Sequence, residues 1–141
     1  HFSVSQLSQR FCEEVAFVKP PYYEIDGGAY IAWKASLEGI STTYKELTQV
    51  VEGSKMTTLE KKRLLESGRA VLPNCTATKI LVTGNLRCWR NFFELRTAEG
   101  ADAEIRIVAL KIFNLLKKYA PNSFQDYTEK DGVVSTKHRK V

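Results

Sequence analysis

The most regular hydrophobic pattern in the chain begins after Asp26-Gly27-Gly28. From there, apolar residues recur at alternating intervals of three and four positions, at Tyr30, Trp33, Leu37, Ile40, Tyr44, Leu47 and Val51. This spacing keeps their side chains on one side of an α-helix. It therefore predicts one long amphipathic helix whose apolar seam packs in a core. Pairing of that seam with a second copy of the chain, as in a coiled coil, is the alternative.

The next elements are marked by a capping pair, a proline and a β-branched run. Thr57 and Glu60 have the spacing of a capping box, which opens a second helix. Pro73 is expected to end this helix a few residues past Arg69. Residues 76–83 are rich in threonine, isoleucine and valine, so they predict a strand.

Two more helices are predicted after the strand. Gly84 breaks the strand, and Asn85 is a suitable N-cap for a helix that closes at Arg96. After Gly100, a helical stripe predicts the last helix, which Ala120-Pro121 terminates. The stripe consists of Ile105, Val108, Ile112, Leu115, Leu116 and Tyr119.

These elements indicate a mostly helical fragment of the α/β (α+β) class, in which residues 1–141 form a single domain. One strand alone leaves a row of unpaired backbone groups, so we expect it to complete a mixed or antiparallel sheet. Its partner strands are expected from a missing N-terminal part or from another subunit. Residues 127–141 are expected to be a flexible tail, because Asp131-Gly132 precedes the basic run Lys137-His138-Arg139-Lys140.

The predicted helix from Asn85 to Arg96 has a polar and an apolar side. At about 100° per residue, one side carries Arg87, Arg90, Asn91 and Glu94, and the other carries Leu86, Trp89, Phe92 and Phe93. Arg96 falls on the apolar side. A guanidinium that is even partly buried there needs an anionic partner. The alternative is that Arg96 extends past the rings to water, or binds the carbonyls of the last turn.

Charge and composition narrow the classes of function. The net charge of +5 favours anionic partners, namely nucleic acid, nucleotides or an anionic membrane. No apolar run approaches the roughly 20 residues of a membrane span, and the N-terminus lacks the order of a signal peptide, so a cytoplasmic location is expected. The three cysteines lack Cys-x-x-Cys spacing, which predicts neither a disulfide framework nor a metal site.

Three groups of polar residues are candidates for chemistry. The hydroxyls, amides and arginine of residues 3–10 could converge on a phosphate, or form an ordinary solvated segment. Glu66 and Arg69 lie one helical turn apart, where a surface ion pair is the simpler interpretation. Asn85, Arg87 and Asn91 would sit at the positive end of a helix, which can bind an anion. Pairing of Arg87 with Asn91 and Glu94 on an exposed face is equally compatible with the pattern.

In order and spacing, these motifs resemble the flavin-dependent thymidylate synthases. His1 to Arg10 is similar to the second half of the family signature, which is Arg-His-Arg, seven residues, then Ser. The resemblance continues through Arg69-Ala70-Val71-Leu72-Pro73, Thr83-Gly84-Asn85-Leu86-Arg87, Asn91-Phe92, Leu95-Arg96, Ala103-Glu104-Ile105-Arg106, Tyr119-Ala120-Pro121 and Phe124. It covers nearly the whole chain and corresponds to the C-terminal catalytic portion of the family.

The resemblance implies conversion of dUMP to dTMP, with methylenetetrahydrofolate as carbon donor and FAD, reduced by NADPH, as hydride carrier. It implies a homotetramer and no cysteine nucleophile. Arg96 would be the catalytic residue, stabilising negative charge on the uracil ring. The implied dUMP contacts are Gln6, Leu7, Ser8, Gln9, Arg10, Arg69 and Arg96, with Ser8 as a phosphate ligand. The implied FAD contacts are Gln6, Asn85, Leu86, Arg87 and Asn91, and Glu66 would orient nearby cations.

The chain departs from the family pattern at three places. The Arg-His-Arg that normally holds the flavin diphosphate and the folate side is absent, and the chain begins at His1. Position 6 is Gln where many members have Glu, and position 91 is Asn where some have His. We therefore expect residues 1–141 to be a fragment that does not turn over alone.

Two other classes of function are compatible with the sequence. A basic helical nucleic-acid-binding module would use the positive charge and Trp89, Phe92 and Phe93, although no helix carries a continuous basic stripe. A purely structural oligomerisation domain would use the helical seam but gives Arg69 and Arg96 no task. The family resemblance instead predicts neither a nucleic-acid nor a membrane partner.

Overall fold

The computed structural model of the chain describes residues 2–7 and 15–138. They divide into two compact units, Ser5–Leu81 and the combination of His1–Val4 with Val82–Val141. The helices and strands are, in chain order, β1 (Phe2–Gln6), α1 (Gly27–Glu52), α2 (Thr58–Gly68), β2 (Ile80–Gly84), α3 (Leu86–Arg96), α4 (Ala103–Tyr119), β3 (Tyr127–Lys130) and β4 (Val133–Thr136). Short 3-10 turns cover Tyr23–Ile25, Arg69–Val71 and Pro121–Ser123.

The unit Ser5–Leu81 is built on the long helix α1. The Asp26 carboxylate caps it by accepting a hydrogen bond of 2.9 Å from the backbone N–H of Ala29. Leu37, Tyr44 and Val51 are its buried residues, each seven positions from the next, so they repeat every two turns on one side. The predicted long amphipathic helix is therefore confirmed, and its buried side follows the predicted seam.

Helix α2 follows α1 and packs against it. The Thr57 hydroxyl accepts from the backbone N–H of Glu60, and the Glu60 carboxylate accepts from the backbone N–H of Thr57 at 2.8 Å. This reciprocal pair is the predicted capping box. The helix ends at Gly68, earlier than predicted, because residues Arg69–Val71 form a 3-10 turn ahead of Pro73.

Strand β2 finds its partner inside the chain. Strands β1 and β2 form a two-stranded sheet, and beyond it the Leu7 N–H donates to the Lys79 carbonyl at 2.8 Å. This corrects the expectation that the partner comes from a missing part or from another subunit. The strand also starts later than predicted, because Thr76 makes only an isolated bridge, to Phe17. At Gly84 the Phe2 ring approaches so closely that a Cβ atom would clash with it.

The second unit has an aromatic core between α3, α4 and the C-terminal segment. Its buried residues are Phe93, Ala109, Phe113, Phe124, Tyr127 and Val134. Thr97 connects two of these elements, since its buried hydroxyl donates to the Phe93 carbonyl and accepts from the Val134 N–H at 2.8 Å. The Asn85 N-cap predicted for α3 and the end predicted for α4 are both observed.

Residues 127–136 form a hairpin rather than the start of a flexible tail. Strands β3 and β4 pair antiparallel, with Tyr127 opposite Thr136 and Lys130 opposite Val133. Asp131 and Gly132 make the turn with φ angles of 51° and 77°, the two positive values that a tight two-residue hairpin requires. Tyr127 and Val134 are buried at 2% and 1% exposure, so the hairpin belongs to the core. The mostly helical α+β class is confirmed, with two small sheets.

Candidate functional site

The polar side of α3 faces a cavity of about 480 Å³, here called the α3 cavity. Its volume is in the range of small-molecule sites, about 300–1,000 Å³. The residues that line it are Arg87, Arg90, Asn91, Glu94, Leu95, Tyr127 and His138. The four polar residues predicted to share one side of this helix therefore do line one surface.

Arg90 is held by the segment that precedes and includes the hairpin. Its two terminal nitrogens donate to the two carboxylate oxygens of Asp126, at 2.8 and 2.6 Å. One of them also donates to the Ser123 carbonyl at 2.6 Å. The guanidinium carbon lies 4.4 Å from the centre of the Tyr127 ring. This bidentate pair with a stacked ring is a geometry that arginine makes and lysine does not.

Asp126 and Tyr127 also have partners that fix their own positions. The Thr136 hydroxyl donates to Asp126 at 2.8 Å, which ties the hairpin's last strand to the ion pair. The Tyr127 hydroxyl donates to the Glu94 carboxylate. Burial, and after it this hydrogen bond, raises the pKa of Tyr127 above its usual value. The hydroxyl therefore keeps its proton and remains a donor.

Asp126 is expected to make stability depend on acid pH. Its hydrogen bonds with Arg90 hold the pKa of Asp126 well below its usual value. A carboxylate with a depressed folded-state pKa stabilises the fold above its unfolded pKa, near 3.9, and this contribution is lost as the pH falls. Asp126→Asn should therefore lower the free energy of unfolding at pH 7 and flatten its decline between about pH 5 and pH 3.

Denaturant unfolding at several pH values measures this effect. Glu129→Gln is the matched control, because Glu129 is an exposed carboxylate of β3, three residues from Asp126. It should keep the wild-type pH dependence. An Asp126→Asn protein with the wild-type slope would show that the ion pair does not contribute in this way.

A second cavity, of about 560 Å³, lies within the unit Ser5–Leu81 and is here called the Arg69 cavity. Its lining consists of Gln6, Glu66, Arg69, Ala70, Leu72, Pro73, Asn74, Thr76 and Thr78. The Gln6 amide nitrogen donates to the Thr78 hydroxyl at 3.3 Å, which fixes the glutamine beside the cavity. The structure thus brings Gln6 to the same cavity as Glu66 and Arg69, which lie about 60 residues further along the chain.

The predicted catalytic arginine is exposed. Arg96 is the last residue of α3, and it does not lie among aromatic side chains as a buried cation. Trp89 and Phe92 are only partly buried, and the deeply buried positions at this end are Phe93 and Thr97. The exposure of Arg96 agrees with the alternative prediction, in which its guanidinium extends past the rings to water.

The other predicted ligand residues are distributed as follows. Arg87 and Asn91 line the α3 cavity, whereas Asn85 and Leu86 are exposed at the start of α3 and are absent from its described lining. The Asn85 side chain caps α3 by accepting from the Cys88 N–H at 2.9 Å. Leu7 is exposed, and its carbonyl accepts from Thr78. Ser8, Gln9 and Arg10 lie outside the described residues.

The aromatic residues of α3 pack against one another and against the core. Phe93 is fully buried, and its ring centre is 5.3 Å from that of Phe113. The Trp89 ring stacks on Phe93 at 6.0 Å and contacts Phe2 at 4.9 Å edge-on. Rings engaged in this way do not form the open stacking platform that single-stranded nucleic acid requires. This arrangement gives no support to the nucleic-acid-binding alternative.

Several lining residues were not identified from the sequence as functional. In the α3 cavity these are Leu95, Tyr127 and His138, together with Asp126 behind Arg90. For the C-terminal residues the available signal was Asp131-Gly132, because Asp-Gly between alternating residues is typical of the hairpin to which Tyr127 belongs. In the Arg69 cavity the additional polar residues are Asn74, Thr76 and Thr78.

Both cavities place an arginine beside a side-chain amide, an arrangement suited to anionic nucleotides. Comparison with known families agrees with a protein that binds nucleotides. The model of the family described as "thymidylate synthase complementing protein" matches residues 1–122. The chain belongs to this family, which confirms the resemblance found in its motifs.

Relatives named flavin-dependent thymidylate synthase align over 133 residues, 90% of this chain and 53% of each relative. The protein of Mycolicibacterium gilvum is 40% identical, that of Mycobacterium tuberculosis 39% and that of Corynebacterium diphtheriae 36%. The chain thus spans about half the length of the curated relatives it matches. Among the helices of the described residues, none combines the length and the apolar character needed to cross a membrane.

Proposed function

We propose that the chain forms part of the active site of a flavin-dependent thymidylate synthase. The reaction is conversion of dUMP to dTMP, with methylenetetrahydrofolate as carbon donor and NADPH as reductant, in a homotetramer. The observation that carries the proposal is the family match over residues 1–122. The relatives are named for this activity, and the two arginine-containing cavities are compatible with nucleotide ligands.

FAD is the proposed ligand of the α3 cavity. Arg87 and Asn91 provide a guanidinium and an amide that can bind phosphate oxygens or the edge of a base. Asn85 and Leu86 directly precede Arg87 at the start of α3, where backbone N–H groups favour negative charge. Gln6, which lines the Arg69 cavity, is also among the flavin contacts that the family resemblance implies. When bound, FAD supplies the redox chemistry, while these residues hold and orient it.

dUMP is the proposed ligand of the Arg69 cavity. The Arg69 guanidinium matches a phosphate or a pyrimidine carbonyl, and Glu66 beside it can orient that cation. Gln6 to Arg10 are the proposed phosphate cradle, with Ser8 donating a hydroxyl hydrogen bond. Gln6 is tied to Thr78 and is exposed to solvent, so its amide is available to a ligand of the Arg69 cavity.

Arg96 is the proposed catalytic residue. Its guanidinium would sit against the uracil ring and stabilise negative charge that develops on N3 and O4. Charge stabilisation of this kind is strong only where water is excluded. Because Arg96 is exposed in this chain, bound substrate and neighbouring protein must cover it during the reaction.

The full-length protein tests the proposal directly. It should purify yellow with a flavin spectrum, and it should form dTMP from dUMP only when methylenetetrahydrofolate and NADPH are both present. Arg87→Gln should weaken FAD binding about tenfold or more, since hydrogen bonds to charged groups contribute roughly 1.5–3 kcal/mol. Titration of the apoprotein with FAD measures the affinity.

Arg63→Gln is the matched control for Arg87→Gln. It removes the same charge from an exposed position of α2, and it should leave the FAD affinity unchanged. A colourless full-length protein that binds no added FAD and makes no dTMP would refute the proposed function.

A further inference from the structure

The α3 cavity is bounded by two kinds of residue. Arg87, Arg90, Asn91 and Glu94 belong to α3, within the part that the family model matches. Tyr127 and His138 belong to the C-terminal segment, which also contributes Asp126 and lies beyond the matched residues 1–122. This segment is therefore the second wall of the cavity.

The C-terminal segment engages two of the four α3 residues and not the others. The terminal nitrogens of Arg90 donate to the Asp126 carboxylate and the Ser123 carbonyl, and its guanidinium packs on the Tyr127 ring. Glu94 accepts from the Tyr127 hydroxyl. Arg87 is exposed and has no such pairing within the part of the chain that the structure describes. Of the two arginines on this helix face, Arg90 is thus paired with a carboxylate of the C-terminal segment, whereas Arg87 is not.

The carboxylate of Asp126 is well suited to keep Arg90 in place. Side chains of the pair are 28% and 21% exposed, so both ions are partly shielded from water and bind each other directly. Thr136 holds the carboxylate from the opposite strand of the hairpin. Without that carboxylate, the nearest anion on the same helix face is Glu94, one turn further along α3. Arg90 would then lie across the cavity wall.

We propose that Asp126 is a positioning residue for the ligand of the α3 cavity. By holding Arg90 against the hairpin, it leaves Arg87 as the α3 arginine that meets the ligand and keeps Glu94 with Tyr127. The C-terminal hairpin thereby determines the arrangement of charge in the site without touching the ligand through Asp126. The proposal rests on the proposed function, because the ligand in question is FAD.

The test compares four full-length proteins by titration of the apoprotein with FAD. Asp126→Asn should weaken binding about tenfold, because Arg90 loses its charged partner and is released toward the cavity. The double variant Arg90→Gln with Asp126→Asn replaces the ion pair by two amides that can bond each other. It should return the affinity to within about threefold of wild type. Glu129→Gln, which removes the same charge from β3, should bind FAD as wild type does.

The double variant separates positioning from mere structural support. If Asp126 acted only by holding Thr136 and the hairpin, the double variant would bind FAD no better than Asp126→Asn. That result would overturn the proposal, as would an unchanged affinity in the single variant. Failure of the wild type itself to bind FAD would overturn the proposed function and this proposal together.

Tyr127→Phe provides a second test should Asp126→Asn fold poorly. It keeps the ring in the core beside Phe113 and Phe124 and removes only the hydroxyl that binds Glu94. Its FAD affinity should fall by about threefold or more while its melting temperature stays near that of wild type. Wild-type affinity in a folded Tyr127→Phe protein would count against a role of this segment in arranging the site.

Discussion

Replacing Arg96 by alanine should lower kcat for dTMP formation by a factor of about 10²–10³ in the full-length protein. The expected size is that of removing one preorganised donor from the place where negative charge develops. Because Arg96 is exposed at the end of α3, its loss leaves no buried gap, and the melting temperature should change little. The measurements are steady-state kinetics with dUMP and thermal unfolding.

Arg96→Lys distinguishes the charge from the shape of this side chain. Lysine keeps the positive charge but loses the planar pair of donors, so it should recover only part of the activity. Arg63→Ala is the control, because Arg63 is an exposed arginine of α2 outside the described lining of both cavities, and it should leave kcat unchanged. Wild-type kcat in a folded Arg96→Ala protein would exclude the catalytic role proposed for this arginine.

Helices were the most predictable part of the fold, because their signals are local. The apolar seam of α1, the Thr57–Glu60 capping box and the Asn85 cap all depend on residues within a few positions of each other. Helical periodicity also placed Arg87 and Asn91 on one surface. These predictions needed no knowledge of what the helices pack against.

Strand partners and the C-terminal core were not predicted, because they depend on distant contacts. Leu7 and Lys79 are hydrogen-bonded although α1 and α2 lie between them in the sequence, and no periodic pattern predicts that pairing. The hairpin carried a local signal in Asp131-Gly132, but the basic residues after it favoured interpretation as a tail. The burial of Tyr127 depends on Phe113 and Phe124, which only the fold brings to it.

The candidate site shows the same division. An angle on a helical wheel assigned Arg96 to the apolar side, but the core covers that side deeply only at Phe93. Arg90 was placed correctly on the polar side, yet its partner Asp126 is 36 residues away. Sequence patterns give the face of a helix on which a residue lies, whereas burial and pairing depend on what covers that face.

Phe93→Ala should destabilise the unit that contains α3 by about 3–5 kcal/mol, the range for removing a buried aromatic ring. Phe93 is fully buried, and its ring contacts those of Phe113 and Phe124. The gap would be surrounded by large, rigid rings that cannot easily close it. Denaturant unfolding of the full-length protein measures the loss.

Leu95→Ala, two residues along the same helix, is the matched control. Leu95 is 53% exposed, so its truncation should cost under about 1 kcal/mol. A comparable loss in both variants would contradict the assignment of Phe93 as the centre of the core.

Phe93 lies on the side of α3 opposite to Arg87 and Asn91, so loosening its packing should also weaken FAD binding. A folded Phe93→Ala protein with unchanged FAD affinity would show that the cavity does not depend on how firmly α3 is seated on the aromatic core.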